Sequence, residues 1–340
     1  MNESSSLRIR RLFYGSWIAQ AVYAAAKLDL ADLIDGGTRD VATLAERTGT
    51  NPEALYRVLR ALAGEGIFTE TGPREFGMTP AAIGLLSTGD DSVKNLAIFY
   101  GKEVHQAYGR ILDSLKTGTP AIDAIYGMTL WAHMERDEET GEAFRRGMGA
   151  TTWDEQLPLP QTYDFSGIKR LVDVGGGEGT MLAAVLHEHP EMTGVLVELP
   201  SGIDRTKRHF HEAGVADRAE IVEGSAFDVL PHGDGYMMSC VLHAMNDESS
   251  VVALSRIRDA IDPDGRLIIL ERIVAAPDEP SLAKILDVSM MLMNGGQERT
   301  EAEWHGLLAQ AGFKLSRIVV LPYFSGGAEL AAIEATPVPR

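Results

Sequence analysis

The sequence predicts two domains, a mainly helical N-terminal domain and an α/β domain with a mostly parallel sheet. From residue 168 onward, short apolar runs alternate with helical stretches, which is the pattern of βαβ units. The first 150 or so residues read instead as helices with little strand signal. At 340 residues the chain also exceeds the usual size of one domain. The composition changes near Pro158 and Pro160, so we predict domains spanning 1–155 and 156–340.

Within the helical domain, residues 41–71 form the most compact pattern. A short helix, VATLAERT, is followed by Asn51 as an N-cap and Pro52 at the first position of a second helix. Two short strands, at 67–71 and 76–79, would then fold back on each other. The sequence therefore predicts a helix-turn-helix followed by a wing.

A winged helix raises the possibility of a DNA-binding regulator. Arg57 and Arg60 lie on the second helix, but Glu53 and several nearby acidic residues leave no basic stripe. The chain carries 31 Lys and Arg against 49 Asp and Glu, a formal charge of −18, which repels polyanions. We therefore expect neither nucleic acid nor an anionic membrane as a partner. A module that mediates dimerisation and covers a substrate needs no basic surface.

Two further features bear on cell compartment and metals. The uncharged run at 12–26 resembles a signal peptide, but Gly15, Ser16 and Gln20 interrupt it and its apolar residues recur at helical spacing. An amphipathic helix is the better interpretation. The single cysteine, Cys240, excludes an internal disulfide and a site with several thiolates. The sequence is thus typical of a cytoplasmic protein, and we predict no metal.

The motif LVDVGGGEG is the most specific signal in the α/β domain. A strand runs into Asp173, and Gly175, Gly177 and Gly179 allow the backbone to turn sharply and approach a ligand. Glu198 ends the next strand, where a carboxylate accepts hydrogen bonds from ribose hydroxyls. This layout predicts a nucleoside-binding site.

The choice of nucleoside depends on two positions. The dinucleotide fingerprint needs Gly or Ala where this chain has Thr180, which weakens an NAD-dependent oxidoreductase hypothesis without excluding it. Asp173 would oppose a phosphate but helps to hold an ammonium or sulfonium group. S-adenosylmethionine carries both positive groups and a ribose, so it is the favoured cofactor.

At these residues the chain resembles the small-molecule O-methyltransferases, which include plant caffeic-acid and isoflavone enzymes and bacterial enzymes that tailor polyketides and phenazines. The resemblance covers nearly the whole chain, through the winged-helix-like module and the motifs FRRGMGATTW, YDFSG, LVDVGGGEG, VELP, EGSAF, LH, GRLIILER and NGGQERT. It implies a Rossmann-like methyltransferase sheet, mostly parallel with an antiparallel last strand, behind a winged-helix-like dimerisation domain. It also implies a homodimer, a small aromatic hydroxylated substrate and S-adenosylhomocysteine as product.

The resemblance also assigns binding residues by motif. Ser225 and Ser239 stand where plant relatives often carry Asp and Lys, and bacterial relatives tolerate serine at both positions. Met245 would pack the adenine without an aromatic face. The cofactor set implied in this way is Asp173, Gly175, Gly177, Gly179, Glu198, Ser225, Ala226, Phe227, Ser239 and Met245, and the substrate set is Phe144, Met148, Met290 and Asn294.

The catalytic histidine of the family lies in an LHDW-like motif, and Leu242-His243 matches its first half. A free phenol has a pKa of about 10 against about 6.5 for histidine, a gap that costs roughly 4.8 kcal/mol if the proton moves beforehand. Carboxylates that stabilise the charged imidazole reduce this cost. Glu271 at the end of LIILE and Glu298 in NGGQERT match the family's two acidic partners, and Thr300 with Glu303 predicts a capping box just beyond.

The sequence therefore predicts methyl transfer from S-adenosylmethionine to a hydroxyl of a small aromatic secondary metabolite, with His243 as general base. Two alternatives stay open. The first is a non-methylating family member that uses the cofactor for hydroxylation or rearrangement. It stays open because Ala244 and Met245 replace the usual Asp-Trp. The other is the DNA-binding regulator.

Overall fold

The computed structural model describes residues 5–89, 92–151, 156, 158–200, 202–322 and 330–339. It contains two compact units. The helical unit comprises the residues up to Gly109 together with Arg136–Thr151, and the sheet unit comprises Arg110–Glu135 and the residues from 156 onward. The predicted boundary between 155 and 156 adjoins residues 152–155, outside the described residues. The sequence did not predict that 110–135 groups with the sheet unit.

Helices and strands are numbered in chain order. The helices are α1 Ser5–Lys27, α2 Leu30–Asp35, α3 Val41–Thr48, α4 Pro52–Gly64, α5 Pro80–Ile83, α6 Lys94–Phe99, α7 His105–Tyr108, α8 Ile111–Thr117, α9 Ala121–Tyr126, α10 Leu130–Arg136, α11 Glu138–Thr151, α12 Leu159–Thr162, α13 Thr180–Glu188, α14 Ile203–Glu212, α15 Asp247–Ala260, α16 Leu282–Met293 and α17 Glu301–Gln310. The strands are β1 Phe68–Gly72, β2 Glu75–Met78, β3 Arg170–Val174, β4 Thr193–Glu198, β5 Ala219–Glu223, β6 Gly233–Ser239, β7 Ile261–Arg272, β8 Phe313–Val320 and β9 Leu330–Pro337.

The helical unit contains the predicted winged helix. The side chain of Asp40 caps α3, and the side chain of Asn51 accepts from the first backbone amides of α4, with Pro52 at its start. The wing is the antiparallel pair β1 and β2. Phe68 and Phe76, one from each strand, are buried with the apolar faces of α2, α3 and α4. The helix-turn-helix and wing are thus confirmed.

The sheet unit is built on seven strands in the order β5-β4-β3-β6-β7-β9-β8. The strands β3 to β7 pair in parallel, and β9, the last strand of the chain, is antiparallel to both of its neighbours. The predicted Rossmann-like sheet is confirmed. Strand order reverses between β3 and β6, and ligands bind in such folds at this point, beyond the carboxyl ends of the strands.

The sheet is buried on both faces, which is why its strands are nearly continuous apolar runs. Side chains of β3, such as Leu171 and Val172, pack into opposite cores. Because β3 to β7 are parallel, the loops that follow them meet at one edge of the sheet, which we call the carboxyl edge.

Among the described residues, no helix has both the length and the apolar character needed to cross a membrane.

Candidate active site

The glycine loop follows β3 at the carboxyl edge. Gly175, Gly177 and Gly179 have φ values of 77°, 61° and 79°, a region that costs other residues steric strain. The Gly175 amide donates to the Val197 carbonyl at 2.9 Å. A Cβ at Gly179 would overlap the ring of Phe210, so the helix α14 sits close against the loop. The predicted sharp turn of the backbone is present, and its approach to a ligand stays a prediction.

Asp173 lies directly beneath this loop and is completely buried. Neither of its carboxylate oxygens has a hydrogen-bond partner among the described residues. Burial, with a further contribution from the nearby charge of Glu198, raises the pKa of Asp173 to about 8. A buried carboxyl without a donor is costly unless a positive or hydrogen-donating group reaches it.

Glu198 ends β4 and faces the glycine loop. Its Oε2 accepts from the Gly177 amide at 2.8 Å, and its Oε1 accepts from the Leu199 amide at 2.8 Å. Burial raises the pKa of Glu198, although these two hydrogen bonds oppose the shift. The carboxylate is therefore fixed beside the loop by backbone donors.

Ser225, Ala226 and Phe227 form the turn after β5. Both the amide and the hydroxyl of Ser225 donate to Asp228 Oδ2, at 2.8 and 2.7 Å. Ala226 is buried, whereas Phe227 is 43% exposed. The carbonyl of Phe227 accepts from Arg256 Nε at 3.0 Å. Ser225 thus stabilises the turn through Asp228.

The end of β6 carries Ser239 and Cys240. The hydroxyl of Ser239 donates to Gln156 Oε1 at 2.7 Å, and Gln156 Nε2 contacts Cys240 Sγ at 3.6 Å. Cys240 has a φ of 52°, in the left-handed region that non-glycine residues seldom occupy. The chain therefore bends at Cys240, two residues before the 3₁₀ turn Leu242–Ala244 that bears the histidine.

His243 lies beside two buried carboxylates. Its Nδ1 is 2.9 Å from Glu298 Oε1 and 3.7 Å from Glu271 Oε2, while its backbone amide donates to Glu271 Oε1 at 3.1 Å. The side chains of Glu271 and Glu298 are each 1% exposed, against 17% for His243. The structure thus brings the three predicted catalytic residues into one cluster, which we call the histidine cluster.

Electrostatics in this cluster favour the charged imidazole. Burial lowers the pKa of His243, but the charges of Glu271 and Glu298 outweigh it, so the pKa lies above its ordinary value. Burial raises the pKa of Glu271, partly offset by His243. One ligand atom from each of the three residues lies within 4.8 Å of the others, a spacing that could also hold a cation. The predicted lack of a metal therefore stays a prediction.

Known protein families account for both parts of the chain. Residues 108–314 match the O-methyltransferase domain, and residues 10–88 match the O-methyltransferase dimerisation domain. The chain belongs to the O-methyltransferase family. It is therefore an S-adenosylmethionine-dependent O-methyltransferase, and its dimerisation domain supports a homodimer.

Individual relatives span nearly the full chain. Phenazine O-methyltransferase PhzM of Lysobacter antibioticus is 36% identical over 329 residues, 96% of this chain and 95% of that protein. The 8-amino-8-demethylriboflavin N,N-dimethyltransferase of Streptomyces davaonensis is 36% identical over 307 residues, 88% of this chain and 87% of that protein. The O-methyltransferase NcsB1 from neocarzinostatin biosynthesis, solved with S-adenosyl-L-homocysteine and 1,4-dihydroxy-2-naphthoic acid, has a TM-score of 0.82 at 28% identity, covering 94% of this chain and 96% of that chain.

These relatives support S-adenosylmethionine as the cofactor of this O-methyltransferase. They also bear on the substrate, since the homologues act on aromatic secondary metabolites. The individual contacts of the predicted cofactor residues stay predictions. Met245, for example, is half-buried and packs against the sheet core.

The predicted substrate residues fall in both units. Phe144 and Met148 lie on α11 of the helical unit, where the ring of Phe144 packs edge-on against Phe99. Met290 and Asn294 lie at the end of α16 in the sheet unit, and Asn294 Oδ1 accepts from the Gly296 amide at 3.0 Å. Contact of these four side chains with a substrate stays a prediction.

The sequence did not predict the residues that hold the histidine cluster in place, Asp287 and Arg299. The amide of Glu298 donates to Asp287 Oδ1 at 2.9 Å, which ties Glu298 to α16. Arg299 is 1% exposed and bonds the backbone on both sides of His243. The sequence carries no signal for this role, because the burial of Arg299 and its bonds to distant carbonyls are visible only in the structure.

Proposed function

We propose that this O-methyltransferase transfers a methyl group to a hydroxyl of a small aromatic metabolite, with His243 as general base, in a cytoplasmic homodimer. The observation that carries the proposal is the bond between His243 Nδ1 and Glu298 at 2.9 Å. Because a carboxylate accepts, Nδ1 holds the hydrogen, and Nε2 keeps a lone pair for the proton of an incoming hydroxyl.

The residues at the cofactor end offer acceptors and an aromatic ring that suit S-adenosylmethionine. Asp173, buried and without a partner among the described residues, suits a positive group of the methionine portion. Glu198 supplies carboxylate oxygens for ribose hydroxyls, and the exposed ring of Phe227 suits a flat base. When bound, S-adenosylmethionine supplies an activated methyl group on a sulfonium centre.

The histidine cluster then takes up the proton of the acceptor hydroxyl. As His243 Nε2 takes the proton, the imidazole becomes positive, and Glu271 and Glu298 stabilise it at 3.7 and 2.9 Å. Their charges raise the pKa of His243, which reduces the difference between this pKa and that of a phenol. Most of the acceleration comes from holding oxygen and methyl in line, since positioning is the larger effect in such displacements.

The two alternative hypotheses are weaker on physical grounds. A DNA-binding role conflicts with the formal charge of −18, and the winged helix lies in the region that matches a dimerisation domain. A non-methylating role rests on Ala244 and Met245 alone. Neither of these residues contributes a side chain to the bonds among His243, Glu271 and Glu298.

The proposal is tested by mass spectrometry with paired aromatic acceptors. Each pair shares one ring system and differs only in a hydroxyl or an amine at the same position, because one relative is named as an N,N-dimethyltransferase. We expect a gain of one methylene unit on hydroxyl compounds, dependent on S-adenosylmethionine and lost in His243→Ala. Gain only on amines, or gain of oxygen without methylation, would overturn the proposal.

Cofactor choice is tested separately by calorimetric titration. S-adenosylhomocysteine should bind and NAD should not, since the chain has Thr180 where the dinucleotide fingerprint needs Gly or Ala. Tight NAD binding without S-adenosylhomocysteine binding would contradict the proposed cofactor site.

A further inference from the structure

We propose that Arg299 is a positioning residue that fixes the backbone turn bearing His243. Its Nη1 donates to the Leu242 carbonyl and its Nη2 to the Met245 carbonyl, both at 3.0 Å. These two carbonyls flank the histidine on either side. One guanidinium therefore spans the turn and holds both of its ends.

The guanidinium is itself held in place. Its Nε and Nη2 both lie 3.0 Å from Asp247 Oδ1, and Nη2 also donates to the Ser250 hydroxyl at 3.2 Å. The Trp304 ring lies 5.3 Å from its central carbon. An arginine presents its donors in a planar, rigid fork, so contacts at Asp247 and Ser250 fix the donors that reach Leu242 and Met245. Asp247 and Ser250 belong to α15, which packs on the sheet.

The chain around Arg299 also links the two carboxylates of the histidine cluster. Its neighbour Glu298 bonds His243, and Gln297 donates its amide to the His243 carbonyl at 2.9 Å. The Arg299 carbonyl accepts from the Val274 amide at 3.0 Å, just beyond β7, the strand that carries Glu271 and ends at Arg272. A Cβ at Gly296 would overlap the backbone of the histidine turn. Residues 296–299 thus pack directly on that turn, with Arg299 as their fixed point.

The consequence for the reaction follows from geometry. If the fork is lost, the Leu242 and Met245 carbonyls lose buried donors, and the turn must find other partners or move. A displacement of about 1 Å at the reacting groups can cost on the order of 100-fold in rate. This inference rests on the proposed role of His243 as base. The effect of Arg299 on His243, however, can be measured without any reaction.

The test compares Arg299→Met and Arg299→Lys with a matched control in the same unit, Arg218→Met. Arg218 also donates to three backbone carbonyls, those of Leu186, His189 and Met192, at 2.8 to 3.2 Å. It lies beyond the opposite ends of the strands, where β5 begins. Its loss should therefore lower stability without changing the kcat of the folded enzyme.

We expect kcat to fall about 100-fold in Arg299→Met and about 10-fold in Arg299→Lys, which keeps the charge but loses the fork. The KM of the aromatic substrate should stay within about twofold, since the proposed acceptor pocket is formed by other elements. The second readout is the ¹H–¹⁵N signal of the His243 Nδ1–H, assigned with His243→Ala. It should shift or vanish in Arg299→Met and stay unchanged in Arg218→Met.

Three results would overturn the proposal. One is a folded Arg299→Met enzyme with wild-type kcat, and another is an unchanged His243 signal in that variant. The third is an equal fall of kcat in Arg218→Met, which indicates general destabilisation. If Arg299→Met does not fold, Arg299→Lys decides, and wild-type kcat with a wild-type signal then contradicts the proposal. If the wild-type enzyme methylates no acceptor, the proposed function fails, but the His243 signal still tests the role of Arg299.

Discussion

The two ends of the site differ in how the protein satisfies its buried carboxyl groups. At the catalytic end, Glu271 and Glu298 each direct an oxygen at His243, and Glu271 also accepts from its backbone amide. At the cofactor end, Asp173 is as deeply buried, yet neither oxygen has a partner among the described residues. Asp173 and the histidine cluster lie at the same edge of one sheet.

This contrast indicates which part of the site is preorganised. The histidine cluster is assembled by the chain alone, so its charge distribution exists before any ligand arrives. Asp173 has a pKa of about 8, which leaves it largely protonated at neutral pH until a positive group approaches. We infer that catalysis depends on groups already in place, whereas binding at the glycine loop is coupled to a change in protonation.

The largest expected effect is a loss of kcat at the catalytic end of the site that leaves binding at the cofactor end intact. His243→Ala should lower kcat on the order of 100-fold or more, the usual loss for a general base, and leave the Kd of S-adenosylhomocysteine nearly unchanged. The exposed histidine His211, on α14, provides a matched control as His211→Ala. Single-turnover kinetics and calorimetry measure the two quantities. Unchanged turnover in His243→Ala would remove the base assignment.

The next effect concerns the cofactor end. Asp173→Asn removes the carboxylate but keeps its shape, so S-adenosylhomocysteine should bind about 10- to 100-fold more weakly, the range of a charge-assisted hydrogen bond. Calorimetric titration measures this affinity, and Asp217→Asn, an exposed change, is the control. Wild-type affinity in Asp173→Asn would show that this carboxyl does not meet the ligand.

The same variant should be more stable than the wild type when no ligand is present. The folded pKa of Asp173 lies above its ordinary value of 3.8, at about 8, so the folded state binds more protons between these values. Stability from this group is therefore lost as pH rises from about 4 to 8, and asparagine escapes that loss. Thermal unfolding at pH 5 and pH 8 should show a larger gain for Asp173→Asn at pH 8. A gain that does not change with pH would contradict the assignment.

A smaller effect is proton release on binding. If a positive group meets Asp173, its carboxyl ionises, so S-adenosylhomocysteine should release less than one proton at pH 7 and progressively less above pH 8. Calorimetry in buffers with different ionisation enthalpies counts these protons. Asp173→Asn should abolish most of the release. Proton uptake in the wild type would reverse the inferred coupling.

Much of this organisation could be predicted from sequence because it is local or repeated along the chain. The cap at Asn51 and the capping box of Thr300 and Glu303 depend on neighbouring residues, and both are present. The alternation of strands and helices predicted the parallel sheet, and it placed Asp173 and Glu198 at its carboxyl edge. For His243, Glu271 and Glu298, resemblance to a family supplied what spacing alone could not.

The remaining features depend on contacts between distant parts of the chain. No local pattern predicts that Asp287 accepts from Glu298, or that Arg299 reaches the carbonyls beside His243. The bend at Cys240, with its φ of 52°, also has no sequence signal, because glycine is the usual residue there. Nor did composition indicate that residues 110–135 pack with the sheet unit. Such features are determined by tertiary packing, which periodicity does not encode.

The most direct test of a preorganised catalytic cluster is the pH dependence of kcat/KM in the wild type and in Glu298→Gln. A base works when neutral, so activity is lost as pH falls through the pKa of His243. That pKa lies above the ordinary 6.5 because Glu271 and Glu298 stabilise the charged ring against the effect of burial. We expect an acidic limb with a midpoint above 6.5 in the wild type and a shift of this limb to lower pH in Glu298→Gln. Coincident limbs in the two enzymes would contradict it.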